Sequence, residues 1–168
     1  MNTHSLKAQP LWRIVSIDVL LLATACLIPT LSHLLALPLY HLNPMLLVLL
    51  AGMLLVRDCR NAYLLALLLP LFSMLLVGMP TPAKALCMVA EYATVVFVSH
   101  RLLKEGYGLL GTMGVMVVAM LAGKGVYYLL KALLLSPVQL VTTPVLTQVS
   151  VVLAAALLYS ALLLKRNK

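Results

Sequence analysis

Lysine and arginine fall at every second break in an otherwise apolar chain, and this alternation limits the possible folds more than any motif does. The apolar runs occupy roughly 14–37, 44–56, 62–77, 84–103, 109–135 and 145–164. Lys7 and Arg13 precede the first run or sit at its edge. Arg57 and Arg60 follow the second run, Arg101 and Lys104 close the fourth, and Lys165, Arg166 and Lys168 follow the sixth. Together these are nine of the 12 basic residues. The breaks at 38–43, 78–83 and 136–144 contain none. A chain crossing a bilayer six times places all the basic breaks on one side, and loops rich in Lys and Arg are retained in the cytoplasm. The expectation is an all-α membrane protein: a single integral membrane domain over 1–168, with six transmembrane helices in a compact bundle and both termini cytoplasmic.

Composition supports this class. With 64% hydrophobic and 10% charged residues, a domain of this size has too little polar surface to face water on all sides. The runs are continuous and Leu-rich, without the alternation of a barrel strand, so helices are expected. A full crossing takes about 20 apolar residues. The first, fourth, fifth and sixth runs reach that length. The second and third are short and close together, which suits a tight helical hairpin or helices that stop partway through the bilayer. The first run continues well past the core of a signal peptide and is expected to be retained. The formal charge of +8 suits anchoring to anionic lipid headgroups, not nucleic-acid binding. Cys26, Cys59 and Cys87 are dispersed and read as small apolar fillers.

Ionisable groups inside a membrane are costly and are therefore functional candidates. Counted along their runs, His33, Glu91 and Lys124 all fall in the outer half of the bilayer. The outer joints add Tyr40, His41, Asn43, Thr81, Thr142 and Thr143, and Gln148 lies one turn into the sixth run. The segment Gly78-Met79-Pro80-Thr81-Pro82 cannot be helical and is expected to cover the same region. This convergence suits a ligand pocket open to the outside, formed by His33, Asn43, Met79, Thr81, Glu91, Lys124 and Gln148. The other half holds little besides Asp18, whereas an ion relay scatters ionisable groups through the full depth.

Each of these signals has a plainer counterpart. Glu91 and Lys124 also suit a buried ion pair that orients two helices. His33 also suits a bond to a carbonyl freed by Pro29. Lys84 and Lys131 are read as reaching out to the headgroups. Pro29, Pro70 and Pro144 are expected to interrupt or start helices. The run Ala122-Gly123-Lys124-Gly125 is no phosphate loop, because it lies inside a span. No metalloprotease, nucleophile-elbow or paired-aspartate motif occurs, and four acidic residues leave little for acid–base or metal chemistry. No enzyme activity, metal or cofactor is expected.

Several segments look familiar in order and spacing. Leu42-Asn43-Pro44-Met45-Leu46-Leu47-Val48-Leu49-Leu50-Ala51-Gly52 resembles the start of helix two in the substrate-binding S components of energy-coupling factor (ECF) vitamin transporters. Residues 70–80 resemble their third helix and its following loop. Glu91-Tyr92 ahead of His100-Arg101, then Ala122-Gly123-Lys124-Gly125-Val126-Tyr127, then Pro144-Val145-Leu146-Thr147-Gln148 are similar to segments of helices four, five and six. The resemblance runs from about 14 to 164. Where many relatives carry a polar residue after the Met of helix two, this chain has Leu46.

The resemblance implies a six-helix subunit of a bacterial inner (cytoplasmic) membrane. Such a subunit binds a vitamin or related small nutrient on the outer side. It works with an ECF transmembrane coupling subunit and two ATPase subunits, and topples in the bilayer to deliver the solute. It also implies docking to the coupling subunit through small residues of the first helix, here Ala23 and Ala25, although Leu27 and Pro29 occupy the positions four residues on. The competing expectation is a non-transport scaffold similar to rod-shape-determining membrane proteins, which needs no polar pocket. The few aromatics make stacking on a large flat ring a lesser expectation, with Tyr40, Tyr92, Tyr127 and Tyr128 as contributors. A polar solute, zwitterionic or bearing a carboxylate, suits the charged set better.

Overall fold

A computed structural model describes residues 10–34, 43–56, 58–103, 107–134 and 145–167, with side chains at all of these except 29–33, 145 and 167. The described residues form six α-helices: α1 (Leu11–Leu34), α2 (Pro44–Val56), α3 (Cys59–Val77), α4 (Pro82–Leu102), α5 (Leu109–Leu134) and α6 (Val145–Asn167). Five are long and apolar enough to cross a membrane, and α2, with 13 residues, is the short one. The chain is therefore a multi-pass helical membrane protein, and no strand occurs among its described residues.

Helix boundaries follow local chemistry that the apolar runs obscure. α3 begins at Cys59 rather than at 62, because Asp58 caps it: its side chain accepts the Arg60 N–H at 3.0 Å, satisfying one of the donors left open at a helix start. α4 begins at Pro82 rather than 84, with Thr81 as the capping position. Proline is pre-shaped for a first turn, where no N–H is required. α1 starts three residues earlier than its apolar run and is described as far as Leu34. Its helix runs on through Pro29, and α3 runs on through the buried Pro70, so neither proline ends a helix. Pro144 lies outside the described residues. Gly78 closes α3 at φ 73° and donates its N–H to the Met74 carbonyl, a left-handed cap that suits glycine best.

Each of α2 to α5 packs on the next helix, α5 packs on α6, and α6 returns to α2, closing a five-helix ring. α1 packs only on α2 and α3 among the well-contacted pairs, at the rim of this ring. Leu49, Leu65, Tyr92, Val95, Met116 and Ala156 are fully buried and form the centre of one continuous core. Helices consecutive in the chain alternate in direction, so the packed pairs α1–α3 and α2–α6 run parallel. Asn61 near the start of α3 bonds Asp18 near the start of α1 at 3.0 Å. Arg166 near the end of α6 bonds the Leu54 carbonyl near the end of α2. Both contacts lie at the end that carries Arg13, Arg60, Arg101 and Lys165, the basic end of the molecule; the end with the 78–81 turn is the neutral end.

The shortness of α2 sets the depth at which it begins. Thirteen residues at 1.5 Å each span about 20 Å, well short of the roughly 30 Å hydrocarbon core. With its end at Val56 tied to the basic end, its start at Asn43 falls deep in the bundle rather than at the neutral surface.

Candidate functional site

Glu91 and Lys124 meet between α4 and α5. Lys124 Nζ lies 2.7 Å from Glu91 Oε1; the Glu91 side chain is 2% exposed and that of Lys124 22%. The approach depends on Gly123. A Cβ added there would stand 2.7 Å from Val95 Cγ2 and 2.9 Å from the Glu91 carbonyl oxygen, so only glycine lets the two backbones come this close. α4 and α5 form the most extensive helix pair in the molecule. The ion pair is a contact of charges without aligned hydrogen-bond geometry, and Oε1 has no hydrogen-bond partner among the described residues. The Lys124 ammonium also stands over the Tyr127 ring, 5.4 Å from its centroid, within the range of a cation–π attraction.

Two further polar bonds extend from this pair. Tyr92, next to Glu91 but pointing to α2, donates its hydroxyl to Asn43 Oδ1 at 3.0 Å. Tyr92 is fully buried, and the bond exists because α2 starts so deep. Asn43 takes a positive φ of 48°, a conformation that Asn tolerates better than most residues. Tyr128, one turn beyond Lys124, donates to Gln148 Oε1 on α6 at 2.6 Å, and its ring stands edge-on to Tyr127 at 5.4 Å. The outcome is a polar belt that runs α2–α4–α5–α6 through Asn43, Tyr92, Glu91, Lys124, Tyr128 and Gln148.

The belt lies deeper than the apolar runs imply. Glu91 is nine residues from Pro82 in a helix of 21, about 14 Å in and close to the helix midpoint. Counted from 84 instead of 82, it falls nearer the surface. Lys124 sits just on the neutral side of the middle of α5.

The other expected site residues separate from this group. Met79 is 65% exposed, and its carbonyl is held by Ser73 Oγ at 2.8 Å, which ties the 78–81 turn to α3. Thr81 is exposed at the start of α4 and makes no side-chain capping bond; ten residues of helix place it about 15 Å along the axis from Glu91. His33 lies within α1, outside the residues whose side chains are described, and Tyr40, His41, Thr142 and Thr143 lie outside the described residues altogether. Ala23 is exposed but Ala25 is 1% exposed within the chain's own core. They point to opposite sides of α1 and do not share a free docking face.

Three tyrosines are more central than a stacking role implies. The signal for Tyr128 is its spacing of one turn from Lys124; Tyr92 gives none, since its partner lies 49 residues away. Asn61, 5% exposed, is the partner of Asp18, and its place two residues into α3 is the available hint.

The belt offers defined chemistry. Lysine has three donors and no acceptor, and Glu91 occupies one direction of the ammonium while Tyr127 covers another. Asn43 keeps an amide group beside the tyrosine it accepts from. Among the described residues no group of three His, Cys, Asp or Glu side chains stands close enough to hold a metal ion. Compared with protein-family models, curated proteins and solved structures, the chain matches none.

Proposed function

We propose that this chain is the solute-binding membrane subunit of an ECF-type importer, with the polar belt as its binding layer. The Glu91–Lys124 pair carries this reading. Two charges held near the middle of apolar helices are costly, and membrane proteins keep such groups where a substrate or ion is handled. The lysine is the more accessible partner, so it is the one that meets a solute. The segment resemblance supports the family and, with it, a bacterial inner membrane, and the one-sided placement of Lys and Arg supports cytoplasmic termini. In this reading the chain is not an enzyme. Its solute is a vitamin or related small nutrient, and its energy comes from a coupling subunit with two ATPase subunits.

The test is mass spectrometry of small molecules retained by the purified protein, with co-purification of a coupling subunit from its native membrane. A retained solute that is lost in Lys124→Ala, together with such a partner, is the expected result. Absence of both sinks the proposal.

A scaffold reading draws on a different observation: the charged pair is closed on itself, as a structural pair is. Replacing Glu91 and Lys124 together by Leu and Met separates the two. A scaffold retains its function in that variant, and a solute-binding subunit loses it.

A further inference from the structure

α3 and α4 form a hairpin joined by the short turn at 78–81, so depth along both helices counts from that turn. Tyr63 lies 14 residues from Val77, the last residue of α3, and Phe97 lies 15 from Pro82, the first of α4. At 1.5 Å per residue the two aromatics stand about 21–23 Å from the turn. Arg60 lies 17 residues along α3 and Arg101 lies 19 along α4, which places both arginines about 26–29 Å from it, one turn beyond the aromatics. Each arginine shares a helix face with its aromatic, by a spacing of three in α3 and of four in α4. All four side chains are exposed. α3 packs on α4, and the charge of Arg101 reaches Tyr63 across that contact. One flank of the hairpin therefore carries the same unit twice, an arginine outside an aromatic ring, at matched depth.

An arginine at a membrane edge ordinarily extends past the helix end toward water. Arg101 does not. Its guanidinium folds back over Phe97, 5.4 Å from the ring centroid, and this contact holds the charge on the lipid-facing flank. Among the described residues no carboxylate meets either guanidinium. Asp18 accepts from Asn61, Asp58 accepts from the Arg60 backbone N–H, and Glu91 is paired with Lys124. The fourth acid, Glu105, lies outside the described residues. The axes of packed helices stand about 8–10 Å apart, so the two long side chains reach a single phosphate between them, which guanidinium groups bind by paired hydrogen bonds. The rings one turn deeper add an apolar wall. A soluble anion gains nothing from that wall, whereas a phospholipid lays its chains along it.

We infer that this flank binds one anionic phospholipid, with its phosphate between Arg60 and Arg101 and its acyl chains along Tyr63 and Phe97. The site lies on a different face from the polar belt and does not depend on what the belt binds. A zwitterionic headgroup brings a cation of its own toward the two guanidiniums and is received less well.

Native mass spectrometry of the full chain in mild detergent counts the lipids it retains. The protein is titrated with phosphatidylglycerol and, separately, with phosphatidylcholine of the same acyl chains. The expected result is that the first phosphatidylglycerol binds about tenfold more tightly than the first phosphatidylcholine. Arg60→Gln together with Arg101→Gln is expected to abolish that preference. A control removes two charges from the same end of the molecule on other helices, Arg13→Gln on α1 and Lys165→Gln on α6, and is expected to keep it. All four side chains are exposed, so both variants are expected to fold as the parent does.

Equal affinities of the two lipids for the parent overturn the inference. A preference lost as fully in the Arg13 and Lys165 control as in the Arg60 and Arg101 variant overturns it too, because the charge of the whole basic end is then responsible. Displacement of phosphatidylglycerol by millimolar glycerol phosphate, the headgroup without its chains, assigns the arginines to a soluble anion and overturns the lipid. Loss of the preference in the Arg60 and Arg101 variant alone, with glycerol phosphate ineffective, supports the site.

Discussion

α1 and α4 are both long enough to cross a membrane, yet the protein treats them in opposite ways. α1 is the more apolar of the two, and only 11% of its spanning window is buried in the chain, against 39% for α4. In water that ranking would be reversed, because the most apolar helix would be drawn to the centre. In lipid, apolar surface gains nothing by leaving its solvent, and what draws helices together is close packing and polar contact. α4 has both, through the approach at Gly123 and through Glu91 and Tyr92. Among its described side chains, α1 is tied to α3 by Asp18, which accepts from Asn61, and it exposes Val15, Val19, Leu20 and Leu27.

The contrast can be broken at graded points, each measured as thermal or denaturant unfolding of the purified protein in mild detergent. Lys124→Ala leaves the buried Glu91 carboxylate without its counter-ion and is expected to cost about 3–5 kcal/mol. The paired change Glu91→Leu with Lys124→Met removes both charges and is expected to recover most of that loss; failure to recover would mean that the belt depends on more than charge. Gly123→Ala pushes a methyl toward the Glu91 backbone and Val95, at an expected cost of about 1–3 kcal/mol. Tyr92→Phe deletes the hydroxyl that reaches Asn43 and is expected to cost about 1 kcal/mol. Leu20→Ala on the exposed side of α1 is expected to stay within about 0.5 kcal/mol of the parent. An α1 change as large as the α4 changes would show that the outer helix is held by contacts not seen in the ring.

Much of the fold was legible because lipid imposes a simple pattern. The bounds of α2, 44–56, and the start of α5 at 109 coincide with their apolar runs. At two of the bounds that differed, capping rules explain the shift: Asp58 and Pro82 start helices ahead of the apolar residues that come after. The candidate site was legible only where a charge had to be explained. Glu91 and Lys124 stood out as intramembrane charges, and pairing was one of the two roles open to them. The bonds of Tyr92 to Asn43 and of Tyr128 to Gln148 join neutral groups 49 and 20 residues apart. No local spacing announces them, because they depend on how deep the short α2 begins and on which helix neighbours which. Thr81 and Met79 share a side of the membrane with Glu91, but depth along the axis, not side alone, decides what meets.

The ion pair also sets a timetable for synthesis. Glu91 is made 33 residues before Lys124, and at about 5–20 residues per second the ribosome needs roughly 2–7 s to supply the partner. During that interval α4 cannot settle beside lipid with a naked carboxylate at its midpoint. The insertion machinery, or the water within it, has to shelter α4 until α5 emerges, so the two helices are expected to leave the channel together as a hairpin. α1, with nothing comparable at its centre, is free to depart alone.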